Sequence, residues 1–187
     1  KPLEQVIDRF KDITKQLGLS DKVLGEIKDD VEQVFASDYS NALKIDAIKA
    51  IGEDSLAKVL SEYLQSLGMK AQYVNPKDAG IIVSDEPGSA RILDESFDLL
   101  YKLRERNEIV IIPGFFGYTK DGKLVTFSRG GSDITGSIVA AGVQADMYEN
   151  FTDVNSVYCV NPTIVENPNE ITALTYKEMR ELSYAGF

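Results

Sequence analysis

Residues 129–137 read Arg-Gly-Gly-Ser-Asp-Ile-Thr-Gly-Ser, which joins a cation, two glycines and a Ser-Asp pair to the start of an apolar run. Ser132 or Asp133 is suited to cap a helix, and the first turn of a helix leaves backbone N–H groups without internal partners. The glycines let a ligand approach the backbone closely. The Arg129 guanidinium matches a carboxylate or a phosphate. The segment predicts a site for a small anion, although a capped glycine loop with a local Arg–Asp ion pair fits the same residues.

Two other positions carry groups that are suited to binding, Glu53 and Phe115. Glu53 heads a predicted helix, where its carboxylate either complements the helix dipole or receives a substrate ammonium group. Phe115 lies in a Gly-Phe-Phe-Gly turn after a predicted buried strand, so it is either a lid or wall residue of a site or a packing residue. The local sequence leaves both alternatives open.

Thr152 and Asp153 follow the strand that is predicted after the glycine-loop helix. Ligands of open α/β sheets bind outside the carboxyl ends of the strands. Asp153 can accept a ribose hydroxyl there, Thr152 can bond a base or ribose, and Tyr158 can pack its ring on a nucleobase. The alternatives are an Asp-capped turn and a half-buried core tyrosine.

Composition excludes several classes of function. The chain of 187 residues has a formal net charge of -10, which argues against non-specific nucleic-acid binding and against an anionic membrane surface. It has no histidine, which excludes a Ser-His-Asp triad and histidine-ligated metal sites. Cys159 is the single cysteine, a usage that suits a reducing cytoplasm. No apolar run reaches the length of a membrane span, and we predict a cytoplasmic protein.

Residues 1–50 form a charged helical subregion in the predicted organisation. Apolar spacing indicates helices over residues 3–17, from about 21 to 35 and from about 39 to 51, with Gly18 as the first stop. The first residue is Lys1 rather than methionine, and the chain stops at Ala185-Gly186-Phe187, at or just past the end of a helical pattern. We therefore expect a fragment of a longer protein.

Residues 51–187 alternate helices and strands, which predicts βα crossovers and a mainly parallel sheet that is covered on both faces. The predicted class is α/β, a three-layer α/β/α sandwich within a single, incomplete domain. The expected elements are a helix that starts at Gly52-Glu53, strands at 70–74, 80–83, 108–112 and 147–151, a hairpin around residues 120–123, and helices at 94–104, 132–144 and 175–185.

Four segments in this order resemble the catalytic domain of the aspartokinases, in the amino-acid kinase family. They are Ile-Gly-Glu-Asp at 51–54, Pro-Gly-Phe-Phe-Gly at 113–117, Ser-Arg-Gly-Gly-Ser-Asp-Ile-Thr at 128–135, and Phe-Thr-Asp-Val at 151–154 with Tyr158. The resemblance runs from about residue 40 to the end. Arg-Gly-Gly-Ser-Asp together with Thr-Asp-Val and the tyrosine is specific at this separation, whereas no single piece is.

The resemblance implies an acceptor site for L-aspartate and a site for ATP with Mg²⁺. By that resemblance, Arg129 holds the α-carboxylate of aspartate and Glu53 its ammonium group. Phe115, Ser132 and Asp133 line the same pocket, and Arg129 and Asp133 are the catalytic candidates. The resemblance assigns the nucleotide base and ribose to Thr152, Asp153 and Tyr158 and no metal ligand to the chain. It further implies a homodimer or higher homo-oligomer in the full-length protein.

The chain also departs from the family pattern. It has no Lys-Phe-Gly-Gly strand and no paired regulatory domains, and Asn161-Pro162-Thr163 stands where the family often has Asp-Pro-Arg. We therefore expect this chain alone to be inactive or nearly so. The alternatives are a relative that phosphorylates glutamate or a nucleoside monophosphate, and a non-catalytic ligand-sensing module with the same fold.

Overall fold

The structure is a computed structural model that describes residues 2–128, 130–151, 156–160 and 164–184. Arg129, Thr152 and Asp153 lie outside the described residues, as do residues 161–163. The chain forms two compact units, Lys1–Tyr148 and Glu149–Phe187. Within the described residues no helix is long and apolar enough to cross a membrane. The division into subregions at residue 50 stays a prediction.

Seven α-helices, one 3₁₀ turn and four strands are found in the described part of the chain. In chain order they are α1 (Pro2–Gln16), α2 (Asp21–Ala36), α3 (Asn41–Ser66), β1 (Ala71–Tyr73), α4 (Pro76–Ala79), α5 (Glu95–Tyr101), the 3₁₀ turn (Lys102–Glu105), β2 (Ile109–Ile111), β3 (Phe116–Tyr118), β4 (Leu124–Thr126), α6 (Gly131–Gly142) and α7 (Tyr176–Tyr184).

The first two helices match the predicted pattern because their apolar residues recur at helical spacing and pack on one side. Their buried cluster continues onto α3 and contains Phe10, Val23, Leu24, Ile27, Val31 and Val59. Ser20 caps α2, since its side chain accepts a hydrogen bond from the Lys22 N–H. Gly18 follows α1 with a φ of 68°, a left-handed conformation that suits glycine after a helix.

Helix α3 corrects the prediction that one helix ends near residue 51 and that Glu53 heads the next. It is a single helix of 26 residues, and Glu53 lies in its middle. Glycine in a helix interior costs only about 1 kcal/mol relative to alanine, and Gly52 lies between turns that bury Ala50 and Ala57. Packing on both sides of Gly52 therefore outweighs this cost, and the helix continues past the glycine. The helix-dipole interpretation of Glu53 is wrong.

Asp46 anchors the first half of α3 to the strands. This carboxylate is buried, and its Oδ2 accepts hydrogen bonds from the Thr126 N–H at 2.8 Å and from the Gly88 N–H at 2.9 Å. Bonds from two backbone donors offset much of the cost of burying a carboxylate. Helix α3 also packs against β1, β2 and β4, so the helix that carries Glu53 is held in place along its length.

The strands form two pairs. Strands β1 and β2 are parallel, with Ala71 opposite Ile109, and β3 and β4 are antiparallel, with Phe116 opposite Thr126. The predicted hairpin around residues 120–123 connects the second pair and is confirmed. The larger apolar core lies between these strands, α5 and α6, and the α/β class is confirmed.

Two predicted strands do not form. At residues 80–83 the backbone groups are divided among several partners, since Ile82 bridges Tyr118, Val83 bridges Ile92, and the Ile82 N–H donates to Ser96 Oγ at 2.9 Å. The segment is buried but pairs along no single strand. Residues 147–151 pair with no strand among the described residues, and Met147 and Phe151 are 74% and 89% exposed. Apolar sequence makes a strand only where a partner edge is available.

The helix predicted over 94–104 differs from its prediction, whereas α7 agrees with the helix predicted from about residue 175. The helix expected over 94–104 is α5 followed by the 3₁₀ turn, and Asp94 makes no capping hydrogen bond through its side chain. In the second unit the N–H of Thr175 donates to Glu178 Oε2 at 2.8 Å, and the Glu178 N–H donates to Thr175 Oγ1 at 3.2 Å. This reciprocal pair is a capping box that fixes the start of α7.

Candidate functional site

A cleft of about 680 Å³ lies between α3, α6 and the segment that continues from β2. Most of its wall is apolar. Its polar end is formed by Glu53 from α3, Gly114 from the turn after β2, and Ser132 from the first turn of α6. The other residues that line it are Leu56, Ala57, Leu60, Val110, Ile111, Ile112, Pro113, Thr135, Gly136, Val139, Ala140, Val143, Ala145, Met147 and Tyr148. A mostly apolar cleft with a few converging polar groups is the usual form of a small-molecule site.

Glu53 and Ser132 meet at the polar end although 79 positions separate them. The Ser132 hydroxyl donates to Glu53 Oε1 at 2.8 Å. Glu53 Oε2 is buried and has no hydrogen-bond partner among the described residues. Burial raises the pKa of Glu53 above its ordinary value, and the hydrogen bond from Ser132 opposes that rise. A half-buried carboxylate with one bare oxygen is an acceptor that a ligand cation or N–H donor would satisfy.

The first turn of α6 begins differently from the prediction. Gly130 precedes the helix in the left-handed region with a φ of 79°, and no side chain among the described residues caps the helix. Ser132 and Asp133 are therefore not the capping residues. Gly130 sets the entry angle of the chain, and the Ser132 side chain turns instead to Glu53. The first N–H groups of a helix that lacks a side-chain cap stay available to a ligand.

Close packing of the turn after β2 against the first turn of α6 requires glycine on both sides. A Cβ atom on Gly131 would lie 2.6 Å from Phe115 Cδ2, and one on Gly114 would lie 3.0 Å from Ser132 Cα. No other residue fits these positions without moving its neighbour. The two glycines therefore hold Ser132 against the turn that leads to Phe115.

The structure brings together some of the predicted site residues. Glu53 and Ser132 are in contact. Phe115 and Asp133 lie beside the cleft rather than in its lining, one residue beyond Gly114 and Ser132 respectively, and their contribution to the pocket stays a prediction. Arg129 lies outside the described residues, so its role also stays a prediction.

The predicted nucleotide-binding residues are separate from this cleft in the sequence and belong to the second unit. Thr152 and Asp153 lie outside the described residues. Tyr158 is half-buried and forms an isolated antiparallel bridge with Glu170 within that unit. Their assignment to a nucleotide stays a prediction.

Sequence reasoning gave no role to two residues of the cleft, Gly114 and Thr135. A signal for Gly114 was present, since its Pro-Gly-Phe-Phe-Gly segment follows a strand that is predicted to be buried. Thr135 stands four positions after Gly131, the spacing of neighbours on a helix face, but nothing in the sequence shows that it contacts residue 115.

Comparison with known proteins defines the class. The model of the amino acid kinase family matches residues 5–187, and the chain belongs to this family. It is 56% identical over 185 residues to Aspartokinase 3 of Bacillus subtilis (strain 168), a match that covers 98% of this chain and 41% of that protein. It is 35% identical over 150 residues to Aspartokinase 2 of the same organism, with 80% and 37% coverage. The chain thus spans about two fifths of the length of these relatives.

Solved structures give the same fold. A crystal structure of aspartate kinase from Clostridium acetobutylicum superposes with a TM-score of 0.72 at 33% identity and covers 97% of this chain and 39% of that one. A structure of E. coli aspartokinase III in complex with aspartate and ADP gives a TM-score of 0.66 at 25% identity, with 81% and 34% coverage. The amino-acid kinase fold that was predicted from the sequence is confirmed.

Proposed function

We propose that the complete protein is an aspartate kinase, which transfers the γ-phosphoryl group of ATP to the β-carboxylate of L-aspartate. The observation that carries the proposal is the bare, buried Oε2 of Glu53 at the polar end of the cleft. An acceptor with an ammonium group would satisfy that oxygen. The family membership and the 56% identity to Aspartokinase 3 of B. subtilis support the choice of aspartate.

Each acceptor-site residue has a role in this proposal that follows from its chemistry. Glu53 binds the α-ammonium group of aspartate, and Arg129 pairs its guanidinium with the α-carboxylate. Ser132 fixes one oxygen of Glu53, so that the other is directed to the ligand. Phe115 and Asp133 complete the pocket beside it. Arg129 and Asp133 are the proposed catalytic residues, by the resemblance to the aspartokinases.

The chemical step needs no general base. A β-carboxylate oxygen of aspartate attacks the γ-phosphorus, the bond from phosphorus to the bridging oxygen breaks, and ADP leaves with that oxygen. The nucleophile is already ionised at neutral pH, which is consistent with a chain that has no histidine. Positioning and neutralisation of charge are then the main sources of rate enhancement.

Nucleotide binding is assigned to Thr152, Asp153 and Tyr158, with the base and ribose as their partners. Mg²⁺ enters with the ATP phosphates as part of the substrate and neutralises their charge. Within the described residues no group of three or more Asp, Glu, Cys or His side chains is placed to hold a metal ion, so the chain supplies no such cage there.

The proposal also includes a wider setting, which rests on the resemblance to the aspartokinases. We place the reaction at the first step of lysine, threonine and methionine biosynthesis, in the cytoplasm. The full-length protein is expected to be a homodimer or higher homo-oligomer, and residues 1–187 alone are expected to be inactive or nearly so.

An acceptor panel tests the proposal. The product of the complete gene is assayed for ADP release with MgATP and, in turn, L-aspartate, L-glutamate and a nucleoside monophosphate. Aspartate is expected to give the highest kcat/KM by at least about tenfold, a discrimination that a single pocket contact supplies. Preference for glutamate or for the nucleotide would replace the proposed substrate. Binding of aspartate without turnover with any acceptor would indicate a ligand-sensing module.

A further inference from the structure

Thr135 joins the two segments that form the polar end of the cleft. Its side chain is buried, with 3% of the residue exposed, and it lies one turn into α6. Its Oγ1 accepts a hydrogen bond from the Phe115 N–H at 3.0 Å and donates one to the Gly131 carbonyl at 2.9 Å. The single hydroxyl proton is therefore engaged with Gly131, and the oxygen with Phe115.

The partner at residue 115 has an unusual backbone. Phe115 has a φ of 80°, in the left-handed region that residues with a side chain rarely occupy. Such a conformation persists only where surrounding contacts determine it. The contacts here are the bond from the Phe115 N–H to Thr135 and the bond from the Phe127 N–H to the Phe115 carbonyl at 2.8 Å.

The packing around these bonds transmits the position of the turn to the site. The ring of Phe115 covers Gly131, and the backbone of Gly114 lies against Ser132, at distances that leave no room for a Cβ. Ser132 in turn bonds Glu53. If residue 115 leaves its left-handed conformation, its neighbours Gly114 and Ser132 have to shift, and the hydrogen bond to Glu53 shifts with them.

We propose that Thr135 is a positioning residue for the amino-acid acceptor: its hydroxyl holds Phe115 and Gly131 so that Glu53 and Ser132 keep a fixed separation. The inference rests on the proposed aspartate kinase function. In this role the Thr135 hydroxyl holds two backbone groups and does not need to touch the substrate.

The test compares Thr135→Val, which keeps the shape and removes the hydroxyl, with Thr135→Ser, which keeps the hydroxyl. The product of the complete gene is assayed for kcat and for KM with aspartate and with MgATP, and aspartate binding is measured by calorimetry. Thr135→Val is expected to raise the aspartate KM by about tenfold or more, the scale expected when a reacting group is misplaced by a fraction of an ångström. The MgATP KM is expected to stay within about twofold, and Thr135→Ser is expected to restore most of the aspartate KM.

Ser66→Ala is the matched control, on α3. Ser66 Oγ donates to the Tyr63 carbonyl at 2.7 Å at an exposed position, and neither residue lines the cleft, so its loss removes a similar hydroxyl-to-carbonyl bond. It is expected to leave both Michaelis constants unchanged. If Thr135→Val does not fold, Thr135→Ala is the variant that lacks the hydroxyl.

Three results would overturn the positioning role: an unchanged aspartate KM in the hydroxyl-free variant, equal losses for aspartate and MgATP, or no rescue by serine. These failures are distinguishable from failure of the proposed function, because wild-type protein would still phosphorylate aspartate. Wild-type protein that phosphorylates another acceptor instead would reject both proposals together.

Discussion

Glu53 and Asp54 are adjacent carboxylates on α3, and they lie in opposite kinds of surroundings. Among the described residues, Glu53 faces the cleft with one hydrogen bond, from Ser132, and with one buried oxygen that has no partner. Asp54 accepts a hydrogen bond from the Tyr73 hydroxyl at 2.5 Å and an ion pair from Lys58 at 3.0 Å. One step along a helix turns a side chain by about 100°, so neighbouring residues reach different sides.

The Asp54 side of α3 is a complete polar network, which we call the Lys58 network: Asp30, Asp54, Lys58 and Tyr73. Lys58 also bonds Asp30 and lies 5.2 Å from the centroid of the Tyr73 ring. Burial of the Lys58 ammonium disfavours its charge, but the bonds to Asp30 and Asp54 outweigh that and raise its pKa. Burial is the largest cause that raises the pKa of Tyr73 well above its ordinary value, and the charge of Asp54 is the next.

The difference between the two sides separates a structural role from a binding role. The Lys58 network satisfies its buried groups within the protein, which stabilises the contact of α2, α3 and β1. The cleft leaves an oxygen of Glu53 without a partner among the described residues, which costs stability unless a ligand supplies a donor. Four measurements test whether the two sides of α3 have these separate roles.

The largest effect is expected for Glu53→Gln on aspartate binding. Loss of the carboxylate removes a charge-assisted bond to the substrate ammonium, and we expect the aspartate Kd to rise about a hundredfold, or about 2.7 kcal/mol. The KM for MgATP is expected to be unchanged. Calorimetry and steady-state kinetics on the product of the complete gene measure both.

Asp54→Asn is the matched control, since it makes the same chemical change one residue further along. It is expected to leave the aspartate Kd within about twofold. Equal loss of aspartate affinity in both variants would contradict the division of roles between the two faces of α3.

The second effect is a loss of stability in Lys58→Met, which keeps an apolar stem and removes the ammonium. Asp30 and Asp54 then lose their shared cation, and breaking a buried pair costs about 3–5 kcal/mol. The side chain of Asp30 is 40% exposed, so we expect a smaller loss of about 2 kcal/mol in urea unfolding. Aspartate affinity is expected to be retained.

Lys22→Met provides the comparison for that measurement. Lys22 pairs with Glu26 at 3.9 Å with its side chain 80% exposed, and its loss is expected to change stability by less than about 0.5 kcal/mol. A loss in Lys58→Met no larger than in Lys22→Met would show that the Lys58 network does not stabilise the fold.

The residues on the cleft side of α3 were more predictable from the sequence than those on the Asp54 side. Glu53 and Ser132 were both identified as candidate site residues, because each lies in a segment that resembles the aspartokinases and carries a group suited to binding. The Lys58 network was not predicted, since it joins residues from three separate elements whose side chains have ordinary spacing. Charged residues on a helix usually face solvent, so no local signal marks Lys58 as buried.

The fold shows the same division between local and non-local information. The hairpin around residues 120–123 and the helices α1 and α2 were predictable, since their signals are local. The continuity of α3 through Gly52 was not, because tertiary packing decides whether a helix continues through a glycine. The pairing of residues 80–83 likewise depends on Tyr118, Ile92 and Ser96, which are distant in sequence.

A smaller effect is expected for Tyr73→Phe, which removes one neutral donor to Asp54. The expected loss is about 1 kcal/mol at pH 7. Because the folded pKa of Tyr73 is raised, its stabilising contribution is present below the unfolded pKa of 10.0 and is lost as pH rises toward the folded value. The difference between wild type and variant is therefore expected to shrink above pH 10.0.

Urea unfolding at pH 7 and above pH 10 measures the Tyr73 effect, and Tyr176→Phe is its control. Tyr176 is 98% exposed, and its hydroxyl is expected to contribute nothing measurable. A difference that stays constant across that pH range would contradict the raised pKa of Tyr73.

The smallest effect is a gain in stability for ligand-free Glu53→Gln. The folded pKa of Glu53 is raised above 4.5, so its favourable contribution is present below that pH and is lost as pH rises through the folded pKa. At pH 7 the ionised carboxylate is therefore a cost that a neutral amide avoids, and the gain is expected to be below about 1 kcal/mol because Glu53 is only half-buried. Below pH 4.5 the gain is expected to disappear.

Saturating L-aspartate is expected to reverse the stability ranking of Glu53→Gln and wild type, because a ligand stabilises only the protein that binds it. Thermal unfolding at pH 7 is expected to rank the variant above wild type without aspartate and below it with aspartate. A variant that is less stable than wild type in both conditions would show that Glu53 is a structural carboxylate like Asp54. A reversal would instead show that the unpaired Oε2 of Glu53 lowers stability only in the ligand-free protein, and that bound aspartate removes this loss.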